Sequence, residues 1–488
     1  GANRGVPQAV VFCGTSATGK SDCARHVLEY LTWRAGDADG SDGGALLRRL
    51  HAADALLTAF GGASTSRHRN ASCFGKSTEL NFAFSGGLRC AHLRTFLLEK
   101  SRVVRRRDGE SSFHVLHALV HAARHKDDAN ATLPVAAPPE NGTGTDRGVD
   151  GEPPSPLADL GKQLTATVNN LAKLFKPQSP LEDLLDTLRL GSDRTASPVS
   201  GGAASANPLQ SKESLHGVYA SLVELLDDTS VGANFTFRVL AAVLHLGNVV
   251  FSRAAELSRE DGGGISDRAD DAALSADADA SLELAEQLLY VPKHGLRNAL
   301  LRRQSTLGTR SGRLQLSPVG SVEVGRTAAG ASRARDSCMQ TVYALLFDWL
   351  VVHLNQAIGP REERGWSHRI SLLDAIGFEG GASHGFGELV ANYTNERLLQ
   401  VELHAALRAQ AGALEAEGLV IESADVPASV AVNDGCVMLV RGVIGPILES
   451  ICAAELQRTE SGDGLLQSGA EGHSSADARL CSELNRMR

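Results

Sequence analysis

Eight consecutive residues, Gly14-Thr15-Ser16-Ala17-Thr18-Gly19-Lys20-Ser21, follow the pattern Gly, any four, Gly-Lys-Ser/Thr. That spacing suits a loop that holds nucleotide phosphates. The glycines let successive backbone N–H groups wrap a β-phosphate, the Lys20 ammonium reaches the β and γ oxygens, and the Ser21 hydroxyl can ligate Mg²⁺. A second group fits the same chemistry. Ile370-Ser371-Leu372-Leu373-Asp374 is an apolar run ending in an acid, followed by Ala375-Ile376-Gly377. A carboxylate at a strand's C-terminal end would stand beside the metal, and the Gly377 N–H would be free to bond a γ-phosphate oxygen. Each group alone has a plainer reading, a Gly/Ser turn and a strand-capping Asp. Together they support one another.

These residues need a strand, a tight loop and a helix to present them. Ala9–Cys13 is an apolar, β-prone run directly before the loop, and Ser21–Leu31 reads as a helix directly after it. Further helices are predicted at Leu181–Leu190, Leu215–Leu226, Phe235–Leu246, Leu282–Leu289 and Leu296–Leu301. Ser337–Ile358 is long, apolar and periodic, which predicts a buried or half-buried helix. Arg369–Leu373 is a short β-prone run, and Gly385–Leu419 is mostly helical with a break expected near Asn392. Residues 128–160 hold six prolines among Gly, Asp and Asn, the composition of a disordered insertion. Residues 191–212 and 253–280 read as loose or mobile segments, and 457–477 as a polar, Gly-rich tail.

The chain of 488 residues is long enough for more than one subdomain. Its net charge of -9 argues against a general nucleic-acid binder, so any polyanion site must be local. No stretch of 18 or more apolar residues occurs, so no membrane span is expected. Eight cysteines without C-x-x-C spacing suit a reducing compartment, which points to the cytoplasm. The chain begins at Gly1 with a strand a few residues later, which suggests a fragment of a longer protein.

A third stretch, Arg67-His68-Arg69-Asn70-Ala71-Ser72-Cys73-Phe74-Gly75-Lys76, resembles the myosin switch I, N-x-N-S-S-R-F-G-K. The phosphate loop is similar to the myosin G-E-S-G-A-G-K-T, and Leu373–Glu379 to switch II, D-I-x-G-F-E. Four more segments agree in the same order. Leu97–Val103 matches L-L-E-K-S-R-V, and Leu240–Asn248 resembles I-L-A-A-I-L-H-L-G-N. Leu346–Val351 reads L-F-D-W-L-V, and Asn392–Leu398 matches N-Y-T-N-E-K-L at the start of the relay helix.

The resemblance implies an α/β P-loop NTPase fold of the myosin-motor kind, a mixed central sheet with flanking helices and helical actin-side subdomains. It divides the chain into a nucleotide-binding core at 1–125, an insertion with loose segments at 126–214, a helical upper subdomain at 215–365, and switch II, relay helix and lower subdomain at 366–488. It implies ATP and Mg²⁺ as cofactors, an actin filament as partner and a cytoskeletal location. Light chains would attach only through segments outside this chain. Gly14 to Ser21 and Asn70 would bind the nucleotide. Ser21, Ser72 and Asp374 would serve the metal, while Ser72, Gly377 and Glu379 would act in catalysis. Val443, Ile444, Ile447, Leu448 and Ile451 fall where the family meets actin, or form an ordinary core helix.

Two departures touch the chemistry. Ala71 stands where the family has a serine, and Cys73 where it has an arginine that pairs with the switch II glutamate, here Glu379. A cysteine cannot make that charge-assisted, bidentate bond. ATP turnover is therefore expected to be weakened. The alternative is a hydrolysis-impaired actin-binding or scaffold protein. Arg67 or Arg69 could reach across to substitute.

Overall fold

The computed structural model describes residues 6–36, 43–65, 68–106, 109–124, 212–226, 230–254, 271–306, 321–359, 366–378, 386–419, 428–446 and 449. Along the chain come β1 (Gln8–Phe12), α1 (Lys20–Gly36), α2 (Gly43–Gly61), short β2 (Gly62–Ala63) and β3 (Ala71–Ser72), the hairpin β4 (Gly75–Ala83) and β5 (Leu88–Phe96), and α3 (His114–Arg124). Next are α4 (Lys212–Leu225), α5 (Ser230–Gly247), the ribbon β6 (Phe251–Arg253) with β7 (Ala272–Leu274), α6 (Ala276–Leu288) and α7 (Gly295–Leu301). The ribbon β8 (Arg302–Thr306) with β9 (Ser321–Gly325) precedes α8 (Ala328–Ile358), β10 (Trp366–Asp374), α9 (Phe386–Ala416) and α10 (Ala428–Leu439).

The main sheet has the order β1-β10-β4-β5. β1 runs parallel to β10, with Phe12 level with Asp374, while β10 and β4 are antiparallel and set Asp374 opposite Lys76. The C-terminal ends of the two parallel strands thus deliver the phosphate loop and Asp374 side by side. The outer edge of β5 is closed by a side chain. Asn355 of α8 accepts the Leu93 N–H at 2.7 Å and donates to the Leu93 carbonyl at 2.8 Å. One amide here stands in for a neighbouring strand.

The core lies among α2, α3, α4, α5 and α8. In α5, Phe237, Leu240, Ala241, Ala242, Val243 and Leu244 are all fully buried, so the helix is apolar nearly all round and runs through the interior. α8 is long and apolar enough to cross a membrane by length and composition. Its Tyr343, Phe347, Leu350, Leu354 and Ile358 are instead buried in the core, which accounts for its hydropathy.

Three sequence expectations need correction or limits. The 253–280 loop ends in order: β6 pairs with β7, and α6 begins at Ala276 behind a Ser275 cap. The ribbon is a long-range pairing with no local signal, and the acidic first turn of α6, Asp277 and Asp279, favours a helix N-terminus while reading as loop composition. The expected break near Asn392 is absent, because α9 runs unbroken from Phe386 to Ala416. There Thr394 Oγ1 and Asn395 Nδ2 bond the carbonyls of Val390 and Ala391 in the preceding turn. Residues 128–160, 191–211 and 255–270, the Leu181–Leu190 helix, the 457–477 tail, and Ile447, Leu448 and Ile451 lie outside the described residues.

Candidate functional site

The loop after β1 turns through backbone angles that glycine adopts readily, with φ of 140° at Gly14 and 85° at Gly19. Ala17 also has a positive φ, 67°. The loop is braced from within. Thr18 Oγ1 donates to the Thr15 carbonyl at 2.9 Å and Lys20 Nζ donates to the same oxygen at 2.7 Å. α1 starts at Lys20, so the N-terminal end of its dipole points at the loop, a setting suited to an anion. Ser16 and Gly19 are half-buried, while Gly14, Thr15, Ala17 and Thr18 are exposed to an incoming ligand.

Ser72 reaches this loop from β3. Its Oγ lies 3.3 Å from Ser21 Oγ, although the two are far apart in sequence. Asp374, at the end of β10, is 6% exposed and hydrogen-bonds the Ser21 side chain. Burial pushes its carboxyl above the usual range, the Ser21 hydroxyl, Lys76 and Lys20 pull it back, and Asp54 adds to the rise. Lys76 itself is paired with Asp54 of α2. Two hydroxyls and a carboxylate are hard oxygen donors of the kind Mg²⁺ takes when phosphates complete its shell. Among the described residues, no group of three or more His, Cys, Asp or Glu is placed to hold a metal by itself.

The chain after Asp374 docks on the phosphate loop. Phe378 donates its N–H to the Gly14 carbonyl at 3.1 Å and accepts the Ser16 N–H at 2.9 Å. Gly377 is pressed between them: a Cβ there would lie 2.5 Å from Lys20 Nζ and 2.5 Å from Ser16 Cα. From the other side, Asn395 Nδ2 of α9 donates to the Ile376 carbonyl at 2.6 Å. Helix α9, switch II and the phosphate loop are thereby joined by successive hydrogen bonds.

Other predicted residues fall differently. Asn70 sits in an exposed turn and pairs its Oδ1 with His114 Nε2 at 3.1 Å. Glu379 and Arg67 lie outside the described residues, and Arg69 is exposed. Ala71 and Cys73 face the interior, on either side of the exposed Ser72. The Cys73 thiol is fully enclosed beside Glu99, Arg102, Glu110 and Tyr343, and burial pushes it up to about 12. Sequence reasoning did not pick out Asp54, Lys76, Glu99, Arg102 or Asn395 as site residues. Lys76, Glu99, Arg102 and Asn395 lie inside segments that carried the resemblance, but the contacts of Lys76 with Asp54, of Glu99 with Cys73 and of Asn395 with Ile376 are tertiary and have no local pattern.

The sequence model of the myosin head (motor domain) matches residues 2–138 and 182–451. Human unconventional myosin-Ig is 26% identical over 456 residues, covering 93% of this chain and 38% of the relative. Myosin ID heavy chain of Dictyostelium discoideum is 26% identical over 406 residues, or 83% of this chain and 30% of the relative. Myosin-7 of Arabidopsis thaliana is 28% identical over 398 residues, or 82% and 18% respectively. The chain therefore spans well under half the length of these curated relatives. A match over most of its residues, on a sheet that brings the phosphate loop, Ser72 and Asp374 together, places the chain in the myosin head (motor domain) family.

Proposed function

We propose that this chain is the nucleotide-binding part of a cytoskeletal motor, which binds Mg·ATP and actin and, in the intact protein, couples ATP hydrolysis to movement along actin filaments. The observation that carries the reading is the 3.3 Å approach of the Ser21 and Ser72 hydroxyls next to buried Asp374. Lys20 and the loop amides would hold the phosphates, with Ser21, Ser72 and Asp374 on the metal side. Gly377 would present its N–H to the γ-phosphate, Asn70 would help to orient the nucleotide, and Glu379 would position water. Bound Mg²⁺ would neutralise phosphate charge as the terminal phosphoryl group departs.

Family membership, the acidic net charge and the free cysteines support a cytoplasmic, cytoskeletal setting. The test is a melting curve with and without millimolar Mg·ATP. Wild type should gain several degrees and Lys20→Ala should gain none; an unchanged wild-type curve refutes the reading. Cys73 and Ala71 favour a second reading, a hydrolysis-impaired myosin-derived actin binder, because the family's switch I arginine is missing. Single-turnover phosphate release separates the two readings.

A further inference from the structure

Cys73 is held at each of its polar groups. Its N–H donates to the Gly61 carbonyl at 2.8 Å, and its carbonyl accepts the Glu99 N–H at 2.9 Å. Its thiol lies 3.7 Å from the Ala71 carbonyl and within hydrogen-bonding reach of the Glu99 carboxylate. Glu99 in turn is forked by Arg102, whose Nε and Nη2 reach it at 3.0–3.1 Å. Arg102 Nη1 bonds Glu110 at 3.0 Å and the Ser111 carbonyl at 3.3 Å. Ser111 exchanges two 2.8 Å hydrogen bonds with Ser64, beside β2, the strand on which β3 is paired. Arg102 and Glu110 are buried, at 6% exposure each. A guanidinium shared in this way is a rigid, directional anchor.

We propose that Arg102 is a positioning residue for the metal side of the site: through Glu99 and Cys73 it latches switch I to the turn at 100–103 and so holds Ser72 beside Ser21. The proposal rests on the Mg·ATP reading and names the element that sets its geometry. Ser72 is one bond from Cys73 and points the opposite way, so fixing the cysteine in the interior fixes the hydroxyl at the ligand side. A long side chain at position 73 would have to enter the space that Cys73 now shares with Arg102.

The test uses Arg102→Met in the full chain, with Arg102→Lys as conservative rescue and Glu110→Gln as the milder variant should the first fail to fold. Two quantities are read. One is the rate of maleimide modification of Cys73, followed by peptide mass spectrometry. The other is ATP affinity in excess Mg²⁺ and in EDTA. Arg102→Met should speed Cys73 labelling at least tenfold. It should cut the Mg²⁺-dependent gain in affinity about tenfold and leave the EDTA value within twofold, with Arg102→Lys restoring most of both. Equal loss of affinity with and without Mg²⁺ would mark a merely structural role and overturn the proposal. So would a Cys73 that stays protected. If wild type binds no nucleotide but Arg102→Met still exposes Cys73, the Mg·ATP reading fails while the latch stands.

Discussion

Gly377 is the position where a single carbon would disrupt the site. Its Cα lies so close to Lys20 and Ser16 that the methyl of alanine would overlap both, and the Ser16 contact is backbone, which cannot swing aside. Gly377→Ala must lift Phe378 off the phosphate loop. We expect a destabilisation of about 1–3 kcal/mol, the usual cost of overpacking. If the chain turns over ATP as proposed, single-turnover phosphate release should fall at least about a hundredfold; normal release would show that this close approach is unnecessary.

A second residue-level effect is set by pH. His117 on α3 is largely buried beside Arg106, and burial, then that charge, lowers its imidazole from 6.5 to about 4. The folded state therefore binds this proton more weakly than the unfolded state. Stability is complete above pH 6.5 and drains away as pH falls to about 4, a loss of up to about 3 kcal/mol. Denaturant titrations at pH 7 and pH 4.5 should show His117→Gln losing less than wild type. Equal losses would exclude His117 as the titrating group.

At the scale of elements, legibility followed the range of the interactions. The strand before the phosphate loop, helix α1 and β10 could be read because each carries its pattern within a dozen residues. Helix α2 also has the period, at Leu46, Leu50, Ala53, Leu57 and Phe60, yet its flanking glycines masked it. The β6–β7 ribbon could not be read, since its two strands meet only across a long intervening segment. Nor could the enclosure of Cys73, because Glu99, Arg102 and Glu110 come from beyond the β4–β5 hairpin. By the resemblance, position 73 takes the place of an arginine paired with Glu379, whereas its thiol packs into the interior.

Asn355 makes an element-scale prediction. It satisfies both outward backbone groups of Leu93 and no local motif announces it. Asn355→Ala should cost about 1–3 kcal/mol, because it leaves a donor and an acceptor unpaired. Amide exchange at Leu93 should rise more than at Leu80 on the inner strand β4. Uniform protection of both would show that the edge does not depend on this amide.

For the whole molecule, the proposed function raises the question of whether the phosphate-loop site is coupled to actin binding. Hydrogen bonds run from the phosphate loop through Phe378 and Ile376 to Asn395 on α9, and α9 is tied onward to α10 by Asn433, whose Nδ2 donates to the Glu396 carbonyl at 2.9 Å. A ligand that moves switch II therefore has a physical route into α9 and α10. Coupling between two sites is reciprocal, so on the proposed reading ATP should weaken actin affinity by the factor by which actin weakens ATP. Co-sedimentation with filamentous actin should show at least a tenfold weaker association in Mg·ATP, a coupling of about 1.4 kcal/mol. Lys20→Ala should keep the nucleotide-free association and lose the response to ATP. Asn395→Ala should keep nucleotide binding but blunt the response, because the bond to Ile376 is gone. Actin binding that ignores ATP in the wild type, despite a melting shift with Mg·ATP, would favour the scaffold reading. It would mean that the hydrogen-bonded route joins the two regions without changing state.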